Sequence, residues 1–234
     1  MPSVPVARRA LAAAAAALAV LVPAAAHAEA ELRRPGEIWL AVGLGDAVCG
    51  DDRPDSDCPV KAGSAFALGG GWRFHPHWLV GLELAGWSFG VNDGWRGQLE
   101  DPATDVTFGA SQLALLGRWY WFDSGAADPY LELGLAPGTV TGEAKNGSER
   151  FETRVPGLAW RLGIGVEWHL APWFRLGPGF LAALHRGSEI CESGTYLDGE
   201  SCRGPGRDPE TGDREGMALP YRLTLNATFL LGER

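Results

Sequence analysis

Eight charged residues stand at one parity of alternating apolar segments: Arg73, Glu83, Arg118, Glu132, Arg161, Glu167, Arg175 and Arg222. Charges held away from water are tolerated when they are paired and hydrogen-bonded. Glu167 and Arg175 sit symmetrically about a turn at Ala171 and are expected to face each other. Arg118 and Glu132 are nearly symmetric about a turn near Gly125, and Arg73 and Glu83 flank theirs less closely. Such a set has two uses, a gated or selective pore or an ionic plug. The plug is the expectation, because an eight-stranded barrel has room for little beyond its own side chains.

Other residues with chemical potential are sparser. Asp51, Asp52, Asp55 and Asp57 crowd one loop and offer oxygens to a cation such as calcium, but without an EF-hand pattern. A solvated loop pinned by a disulfide accounts for them, and no metal is assigned. The four cysteines form two close pairs, Cys49/Cys58 and Cys191/Cys202. Neither has C-x-x-C spacing and no histidine is close in sequence, which disfavours zinc. In an oxidising compartment disulfides are expected, local pairing being preferred over cross-loop bridging because short loops close easily. Past the N-terminal segment the histidines are His75, His77, His169 and His185, of which only His185 falls at the end of a long connection; its nearest serine is Ser188. No Gly-x-Ser-x-Gly elbow occurs. No catalytic residue and no cofactor is assigned, and the chain is read as a non-enzyme.

The elements that position the charges are strands. From Ala159 to Ala183, Trp160, Leu162, Ile164, Val166, Trp168 and Leu170 alternate with Ala159, Arg161, Gly163, Gly165, Glu167 and His169. After Ala171-Pro172 the alternation resumes with Phe174, Leu176, Phe180 and Ala182 against Arg175, Gly177, Gly179 and Leu181. Side chains on a strand point to opposite faces with period two, so this is a hairpin of two-faced strands. One face is too aromatic for water and the other too charged for an ordinary core, which describes an inverted barrel. A soluble lipocalin-like carrier has the opposite polarity.

The same alternation predicts about eight strands, beginning near Glu37–Gly45, Ser64–Phe74, Trp78–Phe89, Val106–Phe122 and Leu131–Ala136 and ending with Ala218–Leu231. Pro137 cannot donate to a ladder, so pairing is expected to stop or bulge there. Asp46–Lys61, Gly90–Thr104, Ala144–Thr153 and Arg186–Glu215 read as long loops, and Asp123–Asp128 as a short turn. Trp72, Phe74, Trp119, Trp121, Trp168, Phe174 and Phe229 collect beside the short turns, as an aromatic girdle at the periplasmic interface does.

Arg8-Arg9, an apolar run to Val22 and Ala26-His27-Ala28 read as a cleavable export signal over residues 1–28. The run is short of the about 20 residues of a membrane-spanning helix. Residues 29–234 then make one barrel domain. The formal charge of −9 argues against nucleic-acid binding, which needs a basic face.

These strands, the girdle and the export signal resemble the small OmpA/OmpX/OmpW-like outer-membrane β-barrel superfamily. The final strand is similar to that family's assembly signal at Thr224–Leu231, with Asn226 where glycine is usual. The resemblance implies an all-β, eight-stranded antiparallel up-and-down transmembrane barrel in the cell outer membrane of a Gram-negative-type bacterium. Its implied partners are outer-membrane lipid and lipopolysaccharide, the barrel-assembly machinery through the last strand, and an unspecified partner at the extracellular loops. The expected role is structural or surface-interacting; the alternative is a narrow channel for small solutes or hydrophobic molecules.

Overall fold

A computed structural model describes residues 36–49, 60–91, 105–122, 126–195, 199–206 and 217–231. They contain ten strands: β1 (Gly36–Cys49), β2 (Val60–His75), β3 (Trp78–Val91), β4 (Asp105–Tyr120), β5 (Ala127–Asn146), β6 (Glu149–Ala171), β7 (Phe174–Gly187), β8 (Ile190–Gly194), β9 (Ser201–Arg203) and β10 (Met217–Leu231). No described helix is long and apolar enough to cross a membrane.

Eight strands close a ring in the order β1–β2–β3–β4–β5–β6–β7–β10, each antiparallel to its neighbours. The seam joins β1 to β10 from Gly36↔Leu231 to Cys49↔Ala218. Closure matters because an open edge leaves backbone N–H and C=O groups unpaired, and hydrocarbon offers them no partner. Sequence parity sets the two faces of the wall. Ile38, Leu40, Val42 and Leu44 on β1 are exposed while Trp39 and Ala41 are buried. On β6, Trp160 and Leu162 are 62% and 53% exposed and Ala159 and Arg161 are 0% and 2% exposed. The apolar side chains point out and the polar ones in.

Four expectations change. Ala144–Thr153 is no loop: β5 and β6 stay paired to Asn146↔Glu149 and reverse at Gly147 and Ser148, with Gly147 at φ +58°. The antiparallel ladder needs only backbone groups, so it continues past the last apolar residues. At Pro137 the expected interruption holds on one side only: the ladder to β4 skips Ala136 and Pro137, without a change of register, while β5 remains paired with β6 through Pro137↔Leu158. Residues 186–215 are not wholly loop, since β8 and β9 pair there and β8 extends the sheet on β6 through Arg154↔Cys191. Asp128 belongs to β5 rather than to the preceding turn.

Cys191 and Cys202 face each other across β8 and β9 and form a disulfide. Cys58, and so the Cys49/Cys58 pairing, lies outside the described residues, as do Asp51, Asp52, Asp55, Asp57 and the N-terminal segment.

Short turns at Pro76-His77 and Pro172-Trp173 mark one end of the barrel. Trp72, Phe74, Trp119, Trp121 and Phe229 are exposed near that end, and Trp168 and Phe174 are half-buried there. They join Trp78 and Trp173: the Trp119 and Trp121 rings meet edge-on at 5.9 Å, and Trp173 stacks on Phe229 at 6.2 Å. Toward the other end the inner wall is mostly alanine: Ala41, Ala65, Ala67, Ala85, Ala110, Ala114, Ala136, Ala159 and Ala183 form one buried cluster with Trp87, Phe89 and Leu181.

Candidate functional site in the barrel interior

Ten ionised side chains converge inside the ring, and each of the eight ring strands supplies at least one. The cations are Arg73, Arg118, Arg161, Arg175 and Arg222; the carboxylates are Glu37, Glu83, Asp128, Glu132 and Glu167. Arg73 is 16% exposed at its side chain, and the other nine are buried.

The tier toward the long connections centres on Glu83. Its Oε1 accepts from Arg161 Nη2 at 2.5 Å and from Arg222 Nη2 at 2.6 Å, and its Oε2 accepts from Trp39 Nε1 at 2.8 Å. Glu132 accepts from Arg118 Nε at 2.9 Å and from Arg161 Nη2 at 3.1 Å. β3 is three places from both β6 and β10 around the ring, so the Glu83 contacts cross the bore rather than follow the wall.

The tier toward the short turns centres on Arg175. It lies 2.5 Å from Glu37, 2.8 Å from Asp128 and 3.4 Å from Glu167. Arg73 approaches Glu37 at 2.7 Å and Asp128 at 3.7 Å, and His169 Nε2 lies 3.1 Å from Asp128. Arg118 joins the tiers, with Nη1 3.8 Å from Glu167.

Neutral side chains complete the packing. Thr228 Oγ1 donates to Glu167 at 2.8 Å, and Asn226 Nδ2 donates to Tyr130 Oη at 2.8 Å. The Arg118 guanidinium lies over the Trp39 ring at 4.2 Å and the Tyr130 ring at 4.8 Å, and that of Arg73 over Tyr120 at 3.7 Å. Cation–π attraction adds to the ion pairs when the cation is desolvated. Inward glycines make the room: a Cβ on Gly69 would strike the Trp39 ring, and one on Gly165 the Tyr130 ring.

The network differs from the sequence pairing in three places. Arg73 does not meet Glu83; its cross-strand neighbour is Leu79, while Glu83 sits opposite Gly69, farther along the strands. Glu167 and Arg175 do touch, but the residue directly opposite Arg175 is His169. Glu37 and Asp128 belong to the network although absent from the sequence-derived set. Both share parity with inward neighbours, Trp39 and Tyr130, and that signal was enough to find them. Arg118↔Glu132 is a direct cross-strand pair.

The remaining candidates lie elsewhere. His77 Nδ1 is 2.9 Å from the Tyr120 carbonyl, and His185 Nε2 is 3.0 Å from that of Val155. Ser188 Oγ donates to the Pro156 carbonyl at 3.0 Å. Among the described residues, Glu189, Cys191 and Cys202 are close enough to suggest metal ligands, but the disulfide occupies both sulfurs.

A closed antiparallel ring with an apolar outer face and a charged inner face is a membrane-spanning β-barrel. The chain belongs to the outer membrane protein beta-barrel domain family, which matches residues 12–185, and this places it in the bacterial outer membrane. No curated protein matches it significantly in sequence. Among solved structures it is similar to a major outer membrane protein from Thermus thermophilus, at 13% identity and a TM-score of 0.59, covering 83% of this chain and 98% of that one. It is also similar to Neisserial surface protein A, at 9% identity and a TM-score of 0.51, covering 84% and 97%. Identities this low speak for the fold alone.

Proposed function

We propose that the protein is a non-enzymatic outer-membrane barrel whose bore is closed by its own ion network and whose contacts are made by the elements beyond the membrane. One observation carries this reading: five arginines and five carboxylates, drawn from every ring strand, interlock across the bore. Their formal charges cancel, so the network needs no mobile counter-ion, and side chains fill the bore of an eight-stranded barrel. A selective pore would instead leave one sign of charge facing a water path.

The aromatic cluster at the short-turn end supports a periplasmic position for that end. The long connections then face outward, with the paired extension of β5 and β6 and the disulfide-linked β8–β9 hairpin projecting among lipopolysaccharide head groups. Export by a cleaved signal and delivery through the assembly machinery belong to the same reading.

Planar-bilayer recording of the refolded full chain tests closure. A closed barrel gives no regular conductance steps at moderate voltage. Uniform steps would favour the narrow channel and overturn the plug.

A further inference from the structure

Beyond the membrane, the outer face of the projecting wall carries a pocket separate from the bore. Arg150, Glu152, Ser193, Gly194 and Thr195 line it, and it holds about 260 Å³. That is below the roughly 300–1,000 Å³ of sites for drug-sized molecules, so it admits one ring-sized group. Ser193 lies directly opposite Glu152. Thr195 closes the pocket against Arg150: the Arg150 amide donates to Thr195 Oγ1, and the Thr195 amide to the Arg150 carbonyl, both at 2.9 Å. The Cys191–Cys202 disulfide ties β8, which supplies Ser193 and Gly194, to β9.

Opposite charges alternate along this face. Lys145 lies 2.9 Å from Glu143, Glu143 2.5 Å from Arg150, Arg150 3.2 Å from Glu152, Glu152 2.6 Å from Arg154 and Arg154 3.9 Å from Glu200. Each of these charges has a partner, and an ionic ligand of either sign would have to displace one. Hydroxyl groups would not. Each Glu152 oxygen takes one guanidinium donor and keeps a lone pair for an O–H. Arg150 Nη1 has no partner among the described residues, and Ser193 and Thr195 add hydroxyls. Neighbouring hydroxyls on a sugar ring need that mixture, one donating to a carboxylate while the next accepts from a guanidinium.

Position decides whose sugar it is. Arg150 and Glu152 share the parity of Leu158, Trp160 and Leu162, the exposed apolar set of β6. The β5–β6 ladder runs without a register shift from Ala127↔Trp168 to Asn146↔Glu149, so that parity is kept. At about 3.3 Å per residue and a tilt of about 40°, Trp168 to Leu158 spans about 25 Å, the height of the apolar band. Glu152 then stands about 15 Å beyond the band, past the level of lipid phosphates. The pocket therefore looks sideways, toward molecules anchored in the membrane next to the barrel.

We propose that it binds one neutral sugar ring of the lipopolysaccharide core. This inference rests on the reading that the long connections face outward. A few hydrogen bonds in open solvent bind weakly, and the density of core sugars around the barrel makes weak binding sufficient.

The probe is core oligosaccharide released from lipopolysaccharide by mild acid and dephosphorylated. It is titrated into the full-length chain in phospholipid nanodiscs while the Ser193, Gly194 and Thr195 amide resonances are followed. Saturable shifts are expected. Glu152→Gln and Ser193→Ala should each weaken binding at least threefold while the barrel amide resonances stay in place. In nanodiscs that carry lipopolysaccharide, the same amides should shift with full-core molecules and not with lipid A alone. Shifts that never saturate, equal shifts with glycerol, or unchanged affinity in either variant overturn the pocket and leave the outward reading standing. Binding of the free core without a response to full-core lipopolysaccharide overturns the proposal through its other half, the outward placement.

Discussion

Arg161 and Arg222, on strands β6 and β10, end on the same oxygen of Glu83, at 2.5 and 2.6 Å. One carboxylate thus ties three strands together across the bore. Glu83→Gln removes the charge while keeping the shape, and leaves both guanidiniums buried without it. The expected loss is about 3–5 kcal/mol, the range for breaking a buried pair from one side. Reversible urea unfolding in phospholipid vesicles measures it. Glu83→Gln as stable as the parent would mean that the two arginines are held by something else.

Two other contacts should separate by strength. Arg118–Glu132 is a direct cross-strand pair at 2.9 Å, whereas Arg175–Glu167 is a diagonal contact at 3.4 Å, and Arg175 keeps Glu37 and Asp128. Glu167→Ala is therefore expected to destabilise by a few kcal/mol, less than Glu132→Ala. Double-mutant cycles should give the larger coupling for Arg118–Glu132. Strict additivity at Arg118 and Glu132 would dissolve the pair.

Leu162 lies on the outer face of β6 and is 53% exposed. If that face meets hydrocarbon, Leu162→Arg costs about 2–4 kcal/mol in a bilayer, the depth-dependent penalty for a lipid-facing cation near the midplane. Arginine at an exposed site in water would cost almost nothing. Equal folding free energies of the two chains in vesicles would contradict the lipid-facing assignment.

On the projecting part of β6, Arg154 Nε donates to Glu152 at 2.6 Å. That hydrogen bond holds the Glu152 carboxyl below the ordinary glutamate range. A lowered folded-state value means the interaction favours the folded hairpin above the ordinary glutamate pKa and is lost as pH falls through the lowered one. The pair is exposed, so screening keeps its effect on stability small. Carboxyl carbon shifts should show Glu152 titrating below a free glutamate, and Arg154→Gln should move it up toward the ordinary range while Arg150, 3.2 Å from its other oxygen, keeps part of the lowering.

Alternation carried the reading of the barrel wall because a strand's period of two needs no knowledge of its neighbours. Trp160 out and Arg161 in follow from the local order of residues alone. Pairing inside is a different problem. Arg118 and Glu132 are close because one hairpin sets them opposite, and sequence symmetry shows that. Glu83 meets Arg161 and Arg222 because the ring closes, and no spacing along the chain encodes a contact across the bore. Arg73 and Glu83 look like partners along the chain for the same reason: the nearest opposite charge in sequence is not the nearest in a closed ring. The paired extension from Glu143 to Arg154 was obscured otherwise, since hydrophobic periodicity fades where both faces meet water.

The seam between β1 and β10 sets an order on biogenesis. The first and last strands of the barrel are mutual partners along their length, so neither has its second neighbour until the other has been synthesised. Until then the growing sheet presents two long edges of unpaired backbone groups, each a template for another chain. Closure waits on the contact of greatest sequence separation, the slowest kind to form. A chain stopped before Met217 has at most seven of the eight ring strands and cannot close the bore, whatever else it has paired.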